Sequence, residues 1–579
     1  METTTARWTP IEELDGCNAG ELHTIKRDDH QLVAGRDDDG KPFALDNRCP
    51  HEGYPLAQGE LKGCSLTCCW HNWKFDVRDG SCTLGGEAVR HYPARDVDGR
   101  IEIDLSDPDP ESLWPGLLKS FGEGVWKHEL GRAVRDGVRL LQAGYAPREL
   151  AIEIARLDAR HGEYGSSHGL PVCADCLRLA EGLEGPHAME ALAIALDMTG
   201  EGIQRLPRRE LQAPVVGADE TKLRAAVEAE DGARAEALLL GAIDAGVPRA
   251  EIDRWMYAIL ADHFLNFGHQ LIFFVKAQEL LEGTAESGDD VAWREIYAGM
   301  LHGIVTGTRE DTLPYWAGHQ ARLDALGAEL AELARHTNES VDFDPVALRH
   351  SVIHGNAAEA FGAVEAALRA GVSAERVARA LSIAGAERLA RFDPAIDANP
   401  EVAETWLWAT HRFTHAAAVR LAVARWDDPR RWRLLFHSAA FVNLGRAMDG
   451  DGSLPAASGD GLARGVLEAL AREDADATVA AARALLESGE PLDALEAGLK
   501  DLLLADPLVR PIFVAHAVKT ALAALEEHHA LAGEIGAELP LLATLRFLAR
   551  PHRERRLREL VGTSLRWVVD GRMPTKLTQ

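Results

Sequence analysis

Nowhere in its 579 residues does the sequence assemble the roughly eighteen consecutive apolar residues that a membrane-spanning helix needs. A membrane protein is therefore not expected. Positive charge is also scarce: 62 Lys and Arg stand against 91 Asp and Glu, for a net charge of −29. A surface this acidic repels nucleic acid and anionic lipid, so neither is an expected partner. Cysteine is sparse, with eight in the whole chain. The N-terminal METTTARWTPIEELDG has neither a basic start nor an apolar core, so export is not expected. Cys17, Cys64, Cys69 and Cys82 are accordingly read as free thiols of a cytoplasmic protein. Phosphate-cradling and nucleophile motifs are missing too. There is no Walker A loop, no Gly-x-Gly-x-x-Gly after a strand and no Gly-x-Ser-x-Gly elbow. What remains is an ordinary globular balance, 46% hydrophobic and 26% charged, in a chain too long for one core.

The most specific chemistry lies between Asn47 and Asp76. Cys49-Pro50-His51 and Cys68-Cys69-Trp70-His71 read Cys-x-His, sixteen residues, then Cys-x-x-His. Two thiolates and two imidazoles delivered by two short loops match the donor set of a Rieske [2Fe-2S] centre, where one iron takes two sulfurs and the other two nitrogens. Zinc accepts the same atoms, but its usual spacing pairs Cys with Cys and His with His. The stretch NRCPHEGYPLAQGELKGCSLTCCWHNWKFD resembles the ferredoxin-like Rieske family over both loops. Gly53, Pro55-Leu56, Gly59, Trp73 and Phe75-Asp76 carry the likeness. The family usually has Gly after the second ligand His; here it is Asn72, the next most tolerant residue of the left-handed conformation. Tyr54 and Trp70 stand where the high-potential members have two further cysteines. The resemblance therefore implies the low-potential, oxygenase-associated type, with Cys49, His51, Cys68 and His71 as cluster ligands.

The chain divides by composition. Residues 1–106 alternate in short segments, Glu21–Ile25, Gln31–Ala34, Pro42–Leu45 and Ile101–Leu105, between turns at Asp39-Gly40, Asp79-Gly80 and Asp98-Gly99. They read as a small all-β domain. Three prolines in Ser106–Gly116 mark the boundary. Residues 107–579 turn to Ala, Leu, Glu and Arg at three- and four-residue steps, the pattern of a large all-α domain. Helix, glycine cap, next helix recurs at Gly144, Gly246, Gly371 and Gly489, so the helical units read as pseudo-repeats.

The repeats give the histidines meaning. His168, His269, His415 and His516 come after the four glycines, and three of them open apolar helices: GHQLIFFVKA, THAAAVRLA and AHAVKTALAA. Imidazoles at equivalent repeat positions can converge in an apolar core and hold Fe, Zn or Cu. His263 precedes His269 by six residues, and His411 precedes His415 by four, on one helix face. His302 lies on the apolar stretch YAGMLHGIV. The expected second metal site draws on His263, His269, His302, His411, His415 and His516. Lys276 is two turns beyond His269. Cys173 and Cys176, a Cys-x2-Cys without a second pair, are read as ordinary helix thiols.

Rieske terminal oxygenases usually pair their cluster with a β-rich domain and a two-His-one-carboxylate iron site. The helical composition argues against that second half, and Glu404 with His411 and His415 lacks its context. Gly268-His269 before an apolar helix, with His411 and His415, is faintly similar to questin-oxidase-like enzymes. That likeness implies a helical non-haem oxidase. The expected function is an oxidoreductase: a non-haem oxygenase or oxidase with a Rieske cluster, mononuclear or dinuclear iron, and a small organic substrate. An external reductase or ferredoxin would feed it, because no nicotinamide or flavin motif is present. The alternative is a non-catalytic electron-transfer or redox-sensing protein whose helices form a docking scaffold.

Overall fold

Leu32 and Val33 are adjacent in sequence and both fully buried, yet they belong to different apolar cores. Side chains alternate across a strand, so the strand His30–Arg36 feeds both. It pairs antiparallel with Leu22–Arg27 and Pro42–Asp46, and His91–Tyr92 completes the sheet. One core gathers Ile25, Leu32, Ile101 and Ile103. The other gathers Val33, Phe43, Leu66 and Phe75 together with Cys49 and Cys68. Trp8–Pro10, Arg100–Asp104 and Ala94–Val97 form a second antiparallel sheet. Its hairpin turns at Asp98-Gly99, both with positive φ (53° and 85°), as a tight two-residue turn requires. A third sheet runs Glu60–Lys62, Ser65–Thr67, Lys74–Asp76, Cys82–Leu84.

The computed structural model describes residues 6–284, 291–397, 399, 401–402, 405–505, 510–549 and 556–572. Glu404 lies outside them. Among the described residues every strand ends by Asp104, and all regular elements beyond that point are helices. The three-proline stretch is not an open linker throughout. Asp109 accepts a hydrogen bond from the Glu111 N–H, Pro110 occupies the first helical turn, and the helix Pro110–Trp126 begins there, where proline's missing N–H costs nothing. Gly144, Gly246, Gly371 and Gly489 each come after a helix, with φ of 81°, 75°, 80° and 73°.

Two compact units result. The first comprises 1–150, 182–193 and 557–579, and the second 151–181 and 194–556. The first unit thus adds to its sheets the helices Pro110–Trp126 and Leu130–Gln142 and residues 557–568 of a C-terminal helix. No helix among the described residues is long and apolar enough to cross a membrane.

Candidate functional site

The two cysteine–histidine loops of the first unit are built alike. In the first, the Cys49 N–H donates to the Tyr54 carbonyl (2.9 Å) and the Gly53 N–H to the Cys49 carbonyl (2.7 Å). In the second, the Cys68 N–H donates to the Trp73 carbonyl (2.8 Å) and the Asn72 N–H to the Cys68 carbonyl (3.1 Å). Gly53 (φ 82°) and Asn72 (φ 58°) are the left-handed residues that close them. Both thiols are buried, whereas His51 is half-buried and His71 exposed. The two imidazole Nδ1 atoms stand 3.2 Å apart. Burial pushes the Cys49 thiol up to about 12, and the neighbouring Cys68 thiol adds to it. Burial pushes the His51 imidazole down, helped by the Arg135 guanidinium. The donors thus fall into a buried sulfur pair and a nitrogen pair at the rim, which fits two irons of a [2Fe-2S] group. Tyr54 and Trp70 stack across the two loops, with ring centroids 3.9 Å apart and planes 22° apart. Trp73 stacks on His51 at 4.6 Å. All eight cysteines are free.

The second unit holds a different cluster. Four helices close a ring: Gly169–Leu179 packs on His269–Leu280 and on Pro511–Ala530, and Thr405–Arg425 packs on the same two. His168 caps the first helix, His269 starts the second, His411 lies in Thr405–Arg425 and His516 in Pro511–Ala530. One ligand atom from each lies within 4.8 Å of all the others. His411 Nε2 and His516 Nε2 are 3.0 Å apart. The far nitrogens are held by carbonyls: His269 Nδ1 by that of Asn266 (2.5 Å) and His516 Nδ1 by that of Ile512 (2.7 Å). This fixes the tautomer that turns a lone pair on Nε2 inward, as outer contacts do for metal-binding histidines. His168 Nε2 and His269 Nε2 are buried without a hydrogen-bond partner. Metal–nitrogen bonds of about 2.1 Å place neighbouring donors about 3 Å apart and opposite ones about 4 Å apart, so four donors within 4.8 Å of one another could hold one metal ion after a small inward movement of the rings.

Burial keeps the imidazoles uncharged. It pushes His269 down to about 4 and His168, His411 and His516 well below their ordinary value. The charge of Lys519 adds to this at all four, disfavouring a proton on each ring. Its own amine is buried, has no hydrogen-bond partner and is pushed down to about 7 by burial. Lys276 behaves oppositely. Burial opposes its charge, but Asp175 (2.9 Å) and Glu279 (2.8 Å) outweigh that and raise it.

Strain marks the entry to His269. Asn266, Phe267 and Gly268 have φ of 47°, 54° and 77°, three successive left-handed residues. The turn brings the Asn266 carbonyl under the His269 ring. Side chains with φ > 0 cost about 1–3 kcal/mol and persist only where the surroundings impose them.

The other expected ligands lie elsewhere. His415 is buried against Phe264 and Phe441, both at 5.4 Å, outside the four. His263 bonds Asp311 (2.9 Å) and Glu228 (2.5 Å). His302 lines a cleft of about 480 Å³ with Arg209 and Glu236, and none of the four imidazoles borders it. Conversely, the fourth position of the cluster belongs to His168, which its repeat position signals. Lys519 had the same signal as Lys276, a lysine inside an apolar helix. Cys173 and Cys176 are fully buried thiols with raised pKa, which burial explains first.

Comparison with known proteins concerns the N-terminal part. The Rieske [2Fe-2S] domain family matches residues 7–93. The oxygenase component of 3-ketosteroid-9-alpha-monooxygenase from Rhodococcus rhodochrous is 39% identical over 119 residues, 18% of this chain and 31% of that protein. The 4beta-methylsterol monooxygenase of Methylococcus capsulatus is 36% identical over 110 residues, 17% of this chain and 30% of that protein. The match with the oxidoreductase NdmD of Pseudomonas putida, 27% identical over 117 residues, covers 18% and 20%. The chain thus spans a third or less of these relatives' own length. Among solved structures, a putative NADH-dependent nitrite reductase small subunit from Mycobacterium tuberculosis is 26% identical, with 18% of this chain and 98% of that one covered and a TM-score of 0.17. With the paired loops, the buried thiols and the facing imidazoles, residues 7–93 of this protein are a Rieske [2Fe-2S] domain.

Proposed function

We propose that the protein is an oxidoreductase, a non-haem iron oxygenase or oxidase, with its cluster on Cys49, His51, Cys68 and His71 and its iron on His168, His269, His411 and His516. The observation that carries this reading is the convergence of four uncharged imidazoles, two buried and two half-buried, in the helical unit. When bound, the cluster would supply single-electron transfer and the iron would supply dioxygen activation. The chain's own residues prepare both. Carbonyls of Asn266 and Ile512 orient two imidazoles, and Lys519 discourages their protonation. Asp158 accepts from the N–H groups of Ser167 and Leu170 (2.8 and 3.2 Å) and so fixes the turn that presents His168.

In this reading a small organic substrate binds beside His269, where a recess at Gly268 is lined by Phe264, Gln270, His415 and His437; its volume of about 10 Å³ has room for one water, so its walls must part to admit a substrate. Its walls are apolar, but His415 Nδ1, His437 Nε2 and Gln270 Oε1 are buried without partners there. Such atoms cost free energy unless a ligand satisfies them. A ferredoxin or reductase is the electron donor in this reading, and neither nucleic acid nor membrane is a partner. The relatives named as monooxygenases support the oxygen chemistry. The cytoplasm is the compartment that the free thiols suit.

The test is iron, zinc and acid-labile sulfide per chain on anaerobically purified protein. About two irons with two sulfides and a further iron supports the reading. Two irons with two sulfides and nothing else leaves only the cluster, and favours a protein that carries electrons without a catalytic metal.

A further inference from the structure

The two faces of the cluster site differ. The second loop is open: His71 is exposed and Trp70 is 54% exposed. The first loop is covered by helices of its own unit. Trp567, near the end of the C-terminal helix and 7% exposed, lies against Gly53, where a Cβ would meet its ring carbons at 2.7 Å. Its ring also faces the Arg48 guanidinium at 5.4 Å. On another side stands a buried ion group. Glu87, 1% exposed, takes a two-pronged bond from Arg135 (2.9 and 2.5 Å) and another from Arg139 (2.6 Å). Glu87 is placed by Gly85-Gly86, and a Cβ on Gly85 would meet Trp73, the ring stacked on His51, at 2.5 Å. Arg135 is thus held, through Glu87 and the Gly85-Gly86 turn, on the side of the cluster site where Trp73 stacks on His51.

These contacts have opposite electrical consequences. Two ferric ions, two sulfides, two thiolates and two neutral imidazoles carry no net charge, so one added electron leaves the site with a single negative charge. A fixed guanidinium favours the reduced state. A ring that excludes water disfavours it, because charge in a drier place loses solvation. We propose that this helical cap sets the reduction potential of the Rieske site through two residues outside the ligand set: Arg135 raises it and Trp567 lowers it. Glu87 is the positioning residue for Arg135. The inference stands on the Rieske domain and is independent of the helical metal site.

The experiment is a redox titration of the full-length protein, monitored by the electron paramagnetic resonance signal of the reduced cluster. Arg135→Gln is expected to shift the midpoint down and Trp567→Ala to shift it up. Trp567→Phe, which keeps an apolar ring, is expected to leave it near that of the parent. The g values and the iron and sulfide content should stay as they are in all three. Unmoved midpoints in Arg135→Gln and Trp567→Ala with the cluster intact would overturn the proposal, as would shifts of both in one direction. Loss of the cluster in all three variants, Trp567→Phe included, would assign these residues to folding and overturn it as well.

Discussion

His411 and His415 stand one turn apart on the helix Thr405–Arg425, and both are buried. His411 faces His269 and His516, with ring centroids at 4.3 and 4.8 Å, whereas His415 faces Phe264 and Phe441. Replacing His411 by Ala should therefore remove the helical metal, and replacing His415 by Ala should leave it in place. Metal content per chain, measured on both variants, distinguishes them; equal loss from both would contradict the four-imidazole site. The same residues set a pH dependence. A free imidazole titrates near 6.5, and the folded ones titrate below that, so between those values the unfolded chain binds more protons. The stability that neutral imidazoles lend is present above about pH 6.5 and is lost as pH falls toward the folded values. Protons displace the metal only where the folded rings take them up, for His269 near 4. Acid release of the metal, measured as metal content after gel filtration, should have its midpoint below about pH 6, under the free-imidazole value.

At the scale of elements, local pattern carried the sequence reading far. The two cluster loops lie close together in the chain, and each loop's hydrogen bonds are its own, so the pair of Cys–His loops was legible. The glycine helix ends were legible for the same reason: a left-handed residue after a helix is a local requirement. Helical phase was not. Residues four apart share a face, and only packing against the other three helices decides which of His411 and His415 enters the ring. The turn at Asn266–Gly268 was also hidden, since nothing in the sequence marks Phe267 as left-handed. That turn yields a prediction. Gly268→Ala adds a Cβ that meets the His415 ring at a positive φ, and it should destabilise the protein by about 1–3 kcal/mol. Because the same turn aims His269, metal content should fall along with the melting temperature. A variant that melts lower but keeps its metal would show that the strain does not serve the imidazole.

At the scale of the whole molecule, the chain makes two units out of five segments. Residues 557–579 return to the unit that holds the sheets, and residues 151–181 belong with helices that begin after residue 193. Contacts of that kind join residues hundreds of positions apart, as His168 and His516 show. A single sequence does not display them unless a repeat hints at the match, and no repeat hinted at Trp567 on Gly53. The partition has a chemical consequence. Cys49, His51, Cys68 and His71 all belong to the first unit, and His168, His269, His411 and His516 all belong to the second. Neither site borrows a ligand from the other unit, so each should load on its own. In a Cys49→Ser, Cys68→Ser double variant the acid-labile sulfide and about two irons should disappear, while the helical metal stays. In a His269→Ala, His411→Ala double variant the reverse should hold, with the visible absorption and electron paramagnetic resonance of the Rieske cluster unchanged. Loss of both metals from either variant would mean that loading of one unit depends on the other.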